Sequence, residues 1–273
     1  MTDLVGKAVL VTGAGRGLGR SYARAAARAG AKVMVNDVDA DAADGVTGEI
    51  VAAGGVAAAS HHSVSDPEAV EAMMASCVDM FGTLDALVNN AGLFMTGPAE
   101  AVDLTRARQL IDVNFYGVLH CGLAAYRRMA DRGGVIVNVT SGASLGIAGM
   151  SIYGASKAAV SALTTHWAME WAGKITVIGL SPIGFTRMTR AIGLESGPDP
   201  DDTGALVSYL LSAGARHLHG RTIRYARGDL HMLEGASFRP LGAVSAGSGV
   251  AAFAAILDAI EPGGATARGP MKA

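Results

Sequence analysis

Ala8-Val9-Leu10-Val11-Thr12-Gly13-Ala14-Gly15-Arg16-Gly17-Leu18-Gly19 decides the fold. Its first four residues are an apolar run of strand length, and a helical pattern continues from Leu18 to about residue 29. Between them the chain must turn sharply, and glycine is the residue that permits both a tight turn and close approach of backbone to a ligand. A helix that starts there offers unpaired N–H groups and the positive end of its dipole, which suits a phosphate group. Gly13, Arg16, Gly17, Leu18 and Gly19 are the residues this reading places around a pyrophosphate.

The same alternation runs outward along the chain. Strand-like runs fall at 8–11, 32–36, 57–61, 86–89, 135–139, 175–180 and 222–225, with helical patterns near 18–29, 39–53, 67–81, 104–130, 154–172 and 202–213. Gly30 follows the first helix and Asp66-Pro67 opens the third, as helix ends demand. Strands alternating with helices argue an α/β fold, a doubly wound parallel sheet of about seven strands with helices on both faces. The first five runs lack polar alternation and are expected to be buried on both faces. From Arg239 the chain becomes rich in Gly, Ser and Ala, and an apolar helix is expected near 249–261. The division is therefore one domain over 1–238 and a tail over 239–273.

Asp37 stands 24 residues after Gly13, at the end of the second strand. That offset is close to the roughly 20 residues at which a carboxylate binds a ribose 2′-hydroxyl and repels a 2′-phosphate. NAD is thus expected in preference to NADP. Arg16 is the counter-indication, since an arginine in this loop suits a phosphate, and a solvated turn beside Asp39 and Asp41 is the plainer role for Asp37.

Composition narrows the field. Half of the 273 residues are hydrophobic and 17% are charged, with a net charge of −2, which gives no basic surface for nucleic acid or an anionic membrane. Residues 133–156 and 240–257 are uncharged or nearly so, but Gly, Ser, Asn and Pro break both, and neither reads as a membrane span. The N-terminal stretch has no basic segment followed by an apolar one, so no signal peptide is expected. Two cysteines, Cys77 and Cys121, are too few for a secreted disulfide framework, which points to a reducing, cytoplasmic compartment. His61-His62 and His217/His219 lack metal partners at ligand spacing, and no metal is expected.

Tyr153 and Lys157 stand at i and i+4, on one face of a helix. Oxidation of an alcohol needs a base at the hydroxyl while hydride leaves the same carbon. A tyrosine, with a pKa of about 10, serves as that base only if cations favour its phenolate. Ser141 follows the fifth strand, twelve residues before Tyr153, at the sheet edge where open α/β folds bind ligands. Its hydroxyl is placed to hold the substrate oxygen, and Thr140 is the competing candidate.

Taken together, the glycine loop, Asn89-Asn90-Ala91-Gly92, Asn114, Ser141 and Tyr153/Lys157 resemble the short-chain dehydrogenase/reductase family over roughly residues 5–235. The resemblance implies a Rossmann-type fold and a hydride transfer between NAD(H) and a small-molecule secondary alcohol or ketone. Tyr153 is then the general acid/base, Lys157 lowers its pKa and holds the ribose, and Ser141 polarises the substrate oxygen. Asn114 holds a water of a proton relay, although in isolation it reads as a bend in the long helix 104–130. Asn90, Ala91 and Gly92 lie beside the adenosine half of the cofactor. Pro182, Gly184 and Thr186 follow the sixth strand, with Thr186 on the nicotinamide amide.

Where the family usually has an aspartate on adenine, this chain has Ser63, followed by Val64, so a backbone contact from Val64 is what remains there. The stretch 182–189 and Val35-Asn36-Asp37 also resemble multifunctional hydroxyacyl-CoA dehydrogenases. A 3-oxoacyl-thioester reductase or 3-hydroxyacyl dehydrogenase is therefore the second reading, and a nucleotide-binding sensor without chemistry the third. The family pattern places Phe94, Met95, Ala143, Leu145, Met150, Phe185 and Met188 around a large, open, apolar substrate site, with a short lid over about 190–201. Helix 154–172 is apolar nearly all round, and in this family it packs on a second subunit, so a homodimer or homotetramer is expected. Arg227-Gly228-Asp229 is read as a coincidence of sequence.

Overall fold

The structure, a computed structural model, describes residues 4–184, 195, 197–226 and 228–234. The described residues up to Leu233 form one compact unit. The expected tail helix and the 238/239 boundary lie outside the described residues.

The strands are β1 (Ala8–Thr12), β2 (Lys32–Asn36), β3 (Val56–Ser60), β4 (Ala86–Asn89), β5 (Val135–Val139), β6 (Thr176–Pro182), β7 (Thr222–Ala226) and β8 (Asp229–Met232). They form one sheet in the order β3-β2-β1-β4-β5-β6-β7-β8, parallel up to β7. The chain leaves β1 toward β2 and β3, then returns to β4 on the other side of β1. This reversal opens a crevice at the carboxyl ends of β1 and β4, where ligands of such sheets bind.

Successive strand residues point to opposite faces, and each face has its own core. Val9, Val11, Val33 and Val35 pack under α1 (Gly17–Arg28), α2 (Ala40–Ala52) and α7 (Gly204–Leu210), with Tyr22, Ile50 and Val207 from those helices. Leu10, Met34, Leu87 and Ile136 pack under α3 (Pro67–Phe81), α5 (Gly117–Met129) and α6 (Ser151–Glu170), joined by Met73, Cys121 and Trp167. α4 (Leu104–Ile111) precedes α5, capped by the Asp103 carboxylate.

Four expectations change. β3 is not buried on both faces, because it is the sheet's edge and Val56 is exposed. β8 was not foreseen: it pairs antiparallel with β7, and Gly228, just before it, has φ +91°, so Gly228-Asp229 belongs to a hairpin while Arg227 lies outside the described residues. Helix 104–130 is interrupted by a π turn over Asp112–Tyr116. Finally, α6 buries one face only: Val160, Trp167 and Ala168 are buried, while Met169 is 75% exposed.

Candidate active site

The glycine loop is tied to β4 across the crevice. Thr12 Oγ1 accepts from the N–H groups of Asn90 (3.0 Å) and Ala91 (3.1 Å), and Asn90 Nδ2 donates to the carbonyls of Thr12 (2.9 Å) and Gly13 (3.0 Å). Asn90 is therefore a strut of the loop, its amide donors fully engaged. The packing admits no side chain: a Cβ on Gly13, whose φ is +62°, would lie 2.7 Å from Ala91 Cα, and one on Gly19 would lie 2.2 Å from Gly13 O. Arg16 occupies the N-cap of α1 without a side-chain cap bond. A helix start walled by glycine and left uncapped fits a pyrophosphate.

Asp37 sits beside that loop at the end of β2. Its Oδ2 accepts from Gly15 N (3.0 Å) and its Oδ1 from Asp39 N (3.1 Å). Arg16, the counter-indication, is ion-paired with Asp39. The loop's arginine is thus answered within the protein, and the carboxylate nearest the loop backbone is that of Asp37.

At the other end of the crevice, the π turn places Asn114, fully buried, against the irregular segment that follows β4. Asn114 Oδ1 accepts from Leu93 N (2.7 Å), and its Nδ2 donates to Leu93 O (3.0 Å) and Ser156 Oγ (3.1 Å). Ser156 Oγ in turn donates to Tyr153 O (2.7 Å). π turns occur frequently at functional sites, and this one fastens α6 and the β4 exit to one amide. Gly92 lies in the same cluster, since a Cβ there would meet Asn114 Oδ1 at 3.3 Å and Lys157 Nζ at 3.6 Å.

Lys157 is buried, donates to Val139 O at 2.9 Å, and burial pushes its ammonium pKa down to about 8. The Tyr153 phenol is held above its ordinary value by burial, opposed by the nearby Ser141 hydroxyl. Lys157 is not among the groups that shift Tyr153. The edge of the Tyr153 ring pair is closed by Phe94, centroids 4.9 Å apart at 71°. Ser141 Oγ also accepts from Ala143 N (3.1 Å) at the start of the turn after β5. Thr140, the competitor, is buried and faces away: its N–H (2.7 Å) and Oγ1 (3.3 Å) both go to Leu180 O on β6. The sheet pairing thus separates two residues that the sequence left equal.

Ser63 turns its hydroxyl onto Ser65 Oγ at 2.8 Å, and Val64 is buried. Pro182 ends β6, and Gly184 packs so closely on the first turn of α1 that a Cβ would lie 2.9 Å from Leu18 Cδ2. Thr186, Phe185, Met188 and half of the lid lie outside the described residues. Of the other expected lining residues, Ala143 is buried, Leu145 is 49% exposed, and Met95 borders a cleft of about 100 Å³ with Val102, Ile152, Asp103 and Arg106. Sequence reasoning missed a buried ladder from Asn89 Nδ2 to Asn138 Oδ1 (2.9 Å) and from Asn138 Nδ2 to Thr164 Oγ1 (3.0 Å), which ties β4, β5 and α6. It also missed His120, whose Nδ1 donates to Val64 O at 3.2 Å. His219 accepts from Val177 N (3.1 Å) and donates to Ala168 O (2.7 Å), tying β6 to the end of α6.

A buried amide, a phenol, a serine hydroxyl and a lysine gathered beside a glycine-rich loop are groups that can hold a polar ligand and pass a proton. The sequence profile described as short chain dehydrogenase matches residues 7–195. A cyclohexanol dehydrogenase of Acinetobacter sp. (strain SE19) is 34% identical over 230 residues, 78% of this chain and 91% of the relative. A 3-oxoacyl-[acyl-carrier-protein] reductase of Synechocystis sp. is 38% identical over 201 residues, 71% of this chain and 81% of the relative. Among solved structures, a 7α-hydroxysteroid dehydrogenase complexed with NADH and 7-oxo glycochenodeoxycholic acid superposes with TM-score 0.79 at 29% identity, covering 83% of this chain and 95% of that one. The chain belongs to the short-chain dehydrogenase/reductase family and is an oxidoreductase of that family. No helix among the described residues is long and apolar enough to cross a membrane.

Proposed function

We propose that this chain transfers hydride between NAD(H) and a hydrophobic secondary alcohol or ketone, with Tyr153 as proton carrier. The observation that carries the reading is that the Ser141 hydroxyl lies close enough to the Tyr153 phenol to oppose its upward shift, with buried Lys157 and the backbone of Gly92 beside them. The bound nicotinamide supplies the hydride acceptor or donor. In the oxidative direction Ser141 holds the alcohol oxygen while Tyr153 takes the hydroxyl proton. Burial holds the phenol of the free chain above its ordinary value; the oxidised cofactor would supply positive charge that favours the phenolate, and Lys157 would hold the ribose and add to that charge. Asn114 has both amide donors engaged, so a relay water would meet its remaining acceptor capacity rather than its Nδ2.

NAD over NADP is supported by the position of Asp37 at the loop and by the Arg16–Asp39 pair. The adenosine half is assigned to Ser63, Val64, Ala91 and Gly92, and the nicotinamide end to Pro182, Gly184 and Thr186. An alcohol or ketone is favoured by the cyclohexanol dehydrogenase relative, and a 3-oxoacyl thioester is the second reading, favoured by the acyl-carrier reductase relative. The exposed Ala155, Ala162 and Met169 of α6 support a homodimer or homotetramer, with a cytoplasmic setting supported by the free, buried Cys77 and Cys121. Turnover of cyclic and long-chain secondary alcohols, 3-hydroxyacyl thioesters and short alcohols, each with NAD⁺ and NADP⁺, tests the proposal. The proposal expects NAD⁺ with bulky alcohols to give the highest kcat/KM; preference for NADP⁺ or for butanol-sized alcohols would overturn it.

A further inference from the structure

After β3 the chain turns through Ser63, Val64 and Ser65 before α3, and α5 holds that turn. The Ser63 hydroxyl is bonded to Ser65 Oγ at 2.8 Å and accepts from Ser65 N at 3.3 Å, so it is committed to the turn itself. The Val64 carbonyl accepts from His120 Nδ1 at 3.2 Å. A carbonyl only accepts, so the His120 ring carries a proton on Nδ1. Gly117, three residues earlier on the helix, supplies the space into which Val64 packs: a Cβ there would lie 2.7 Å from Val64 Cγ2. Tyr116 stacks on the His120 ring, centroids 6.1 Å apart at 24°. Val64 is buried, and its N–H meets no acceptor among the described residues. A backbone donor without an acceptor in a buried residue calls for one from a ligand.

We propose that His120 is a positioning residue for the purine end of the cofactor: by holding the Val64 carbonyl it presents the Val64 N–H to an acceptor nitrogen of adenine. This rests on the dinucleotide reading above. It assigns to a side chain on α5 the purine selectivity that Ser63, turned onto Ser65, does not supply. His120 acts through Val64 and touches no reacting atom.

Adenine and hypoxanthine differ at the atom concerned, since N1 of adenine accepts a hydrogen bond whereas N1 of hypoxanthine carries a hydrogen. The test is therefore the ratio of Kd values for NADH and reduced nicotinamide hypoxanthine dinucleotide, measured by nicotinamide fluorescence on the full chain. The wild type is expected to prefer NADH by about tenfold, the equivalent of about 1.4 kcal/mol. His120→Ala should bring the ratio close to one. His120→Asn, whose Nδ2 can stand where Nδ1 stood, should restore it. A variant that has merely loosened the fold would weaken both dinucleotides equally and keep the ratio. An unchanged ratio in His120→Ala, a wild type indifferent to the base, or no rescue by asparagine would overturn the proposal. A wild type that binds neither dinucleotide would overturn the dinucleotide reading and this proposal with it, which separates the two failures.

Discussion

Asn114 and the backbone of Leu93 are joined by two hydrogen bonds, Leu93 N to Oδ1 at 2.7 Å and Nδ2 to Leu93 O at 3.0 Å. With the further bond to Ser156, one buried amide fixes the β4 exit against the helix that carries Tyr153 and Lys157. Asn114→Asp keeps the shape and removes both donors, leaving Leu93 O and Ser156 facing a carboxylate. A loss of about 3 kcal/mol is expected, read as a fall of roughly 10 °C in Tm, together with loss of turnover. A melting temperature within a degree or two of the wild type would show that these bonds do not support the site.

The glycine loop can be tested against a control elsewhere in the fold. Gly19→Ala would put a Cβ 2.2 Å from Gly13 O, and Gly122→Ala would put one 2.3 Å from the Trp167 ring. Overpacking of either kind costs about 1–3 kcal/mol of stability. Only the first should also raise the Kd for NADH, by about tenfold or more. Equal NADH affinity in both variants would separate the loop from cofactor binding.

Asp37→Asn keeps the shape and one of the two acceptors that Gly15 N and Asp39 N use, and removes the charge that opposes a 2′-phosphate. The kcat/KM ratio of NAD to NADP should fall by about tenfold or more, the equivalent of about 1.4 kcal/mol at a partly exposed site. No change in the ratio would move the discrimination elsewhere.

Lys157 gives the unliganded chain a pH signature. Its folded pKa is depressed to about 8 by burial, whereas an unfolded lysine titrates near about 10.4. Between these values the unfolded chain binds more protons, so the contribution is fully present above about 10.4 and is lost as pH falls through about 8. Lys157→Met has no such contribution. The stability of wild type relative to that variant should therefore rise by about 3 kcal/mol from pH 8 to 10.4. A difference that stays flat with pH would place the ammonium in solvent.

How much of this the sequence disclosed depended on whether the interaction was local. β2, β4 and β5 are where the apolar runs put them, because each is buried and bounded by turn residues. β8 escaped notice because Asp-Leu-His-Met is short and exposed along its length, so it has no burial pattern to read. The π turn at Asn114 has no glycine or proline to announce it. Asn90 was legible as part of the site but not as a strut, since its partners on β1 are 77 and 78 residues away and become neighbours only through the strand order β1-β4. Ser141 and Thr140 were separable only once β5 lay beside β6, with Thr140 bonded to Leu180. His120 was illegible for the same reason: its partner is the backbone of Val64, and backbone carries no sequence signal.

The central claim is that Tyr153 carries the proton at a site whose cofactor is held independently of its hydroxyl. Tyr153→Phe keeps the ring against Phe94 and removes only that hydroxyl. NADH affinity and single-turnover oxidation of bound NADH by a cyclic ketone should be measured on wild type and variant together. The account predicts unchanged NADH affinity and a rate lower by about 10²–10⁴, the usual contribution of a general acid. A variant that binds NADH normally and still turns over at close to the wild-type rate would contradict it.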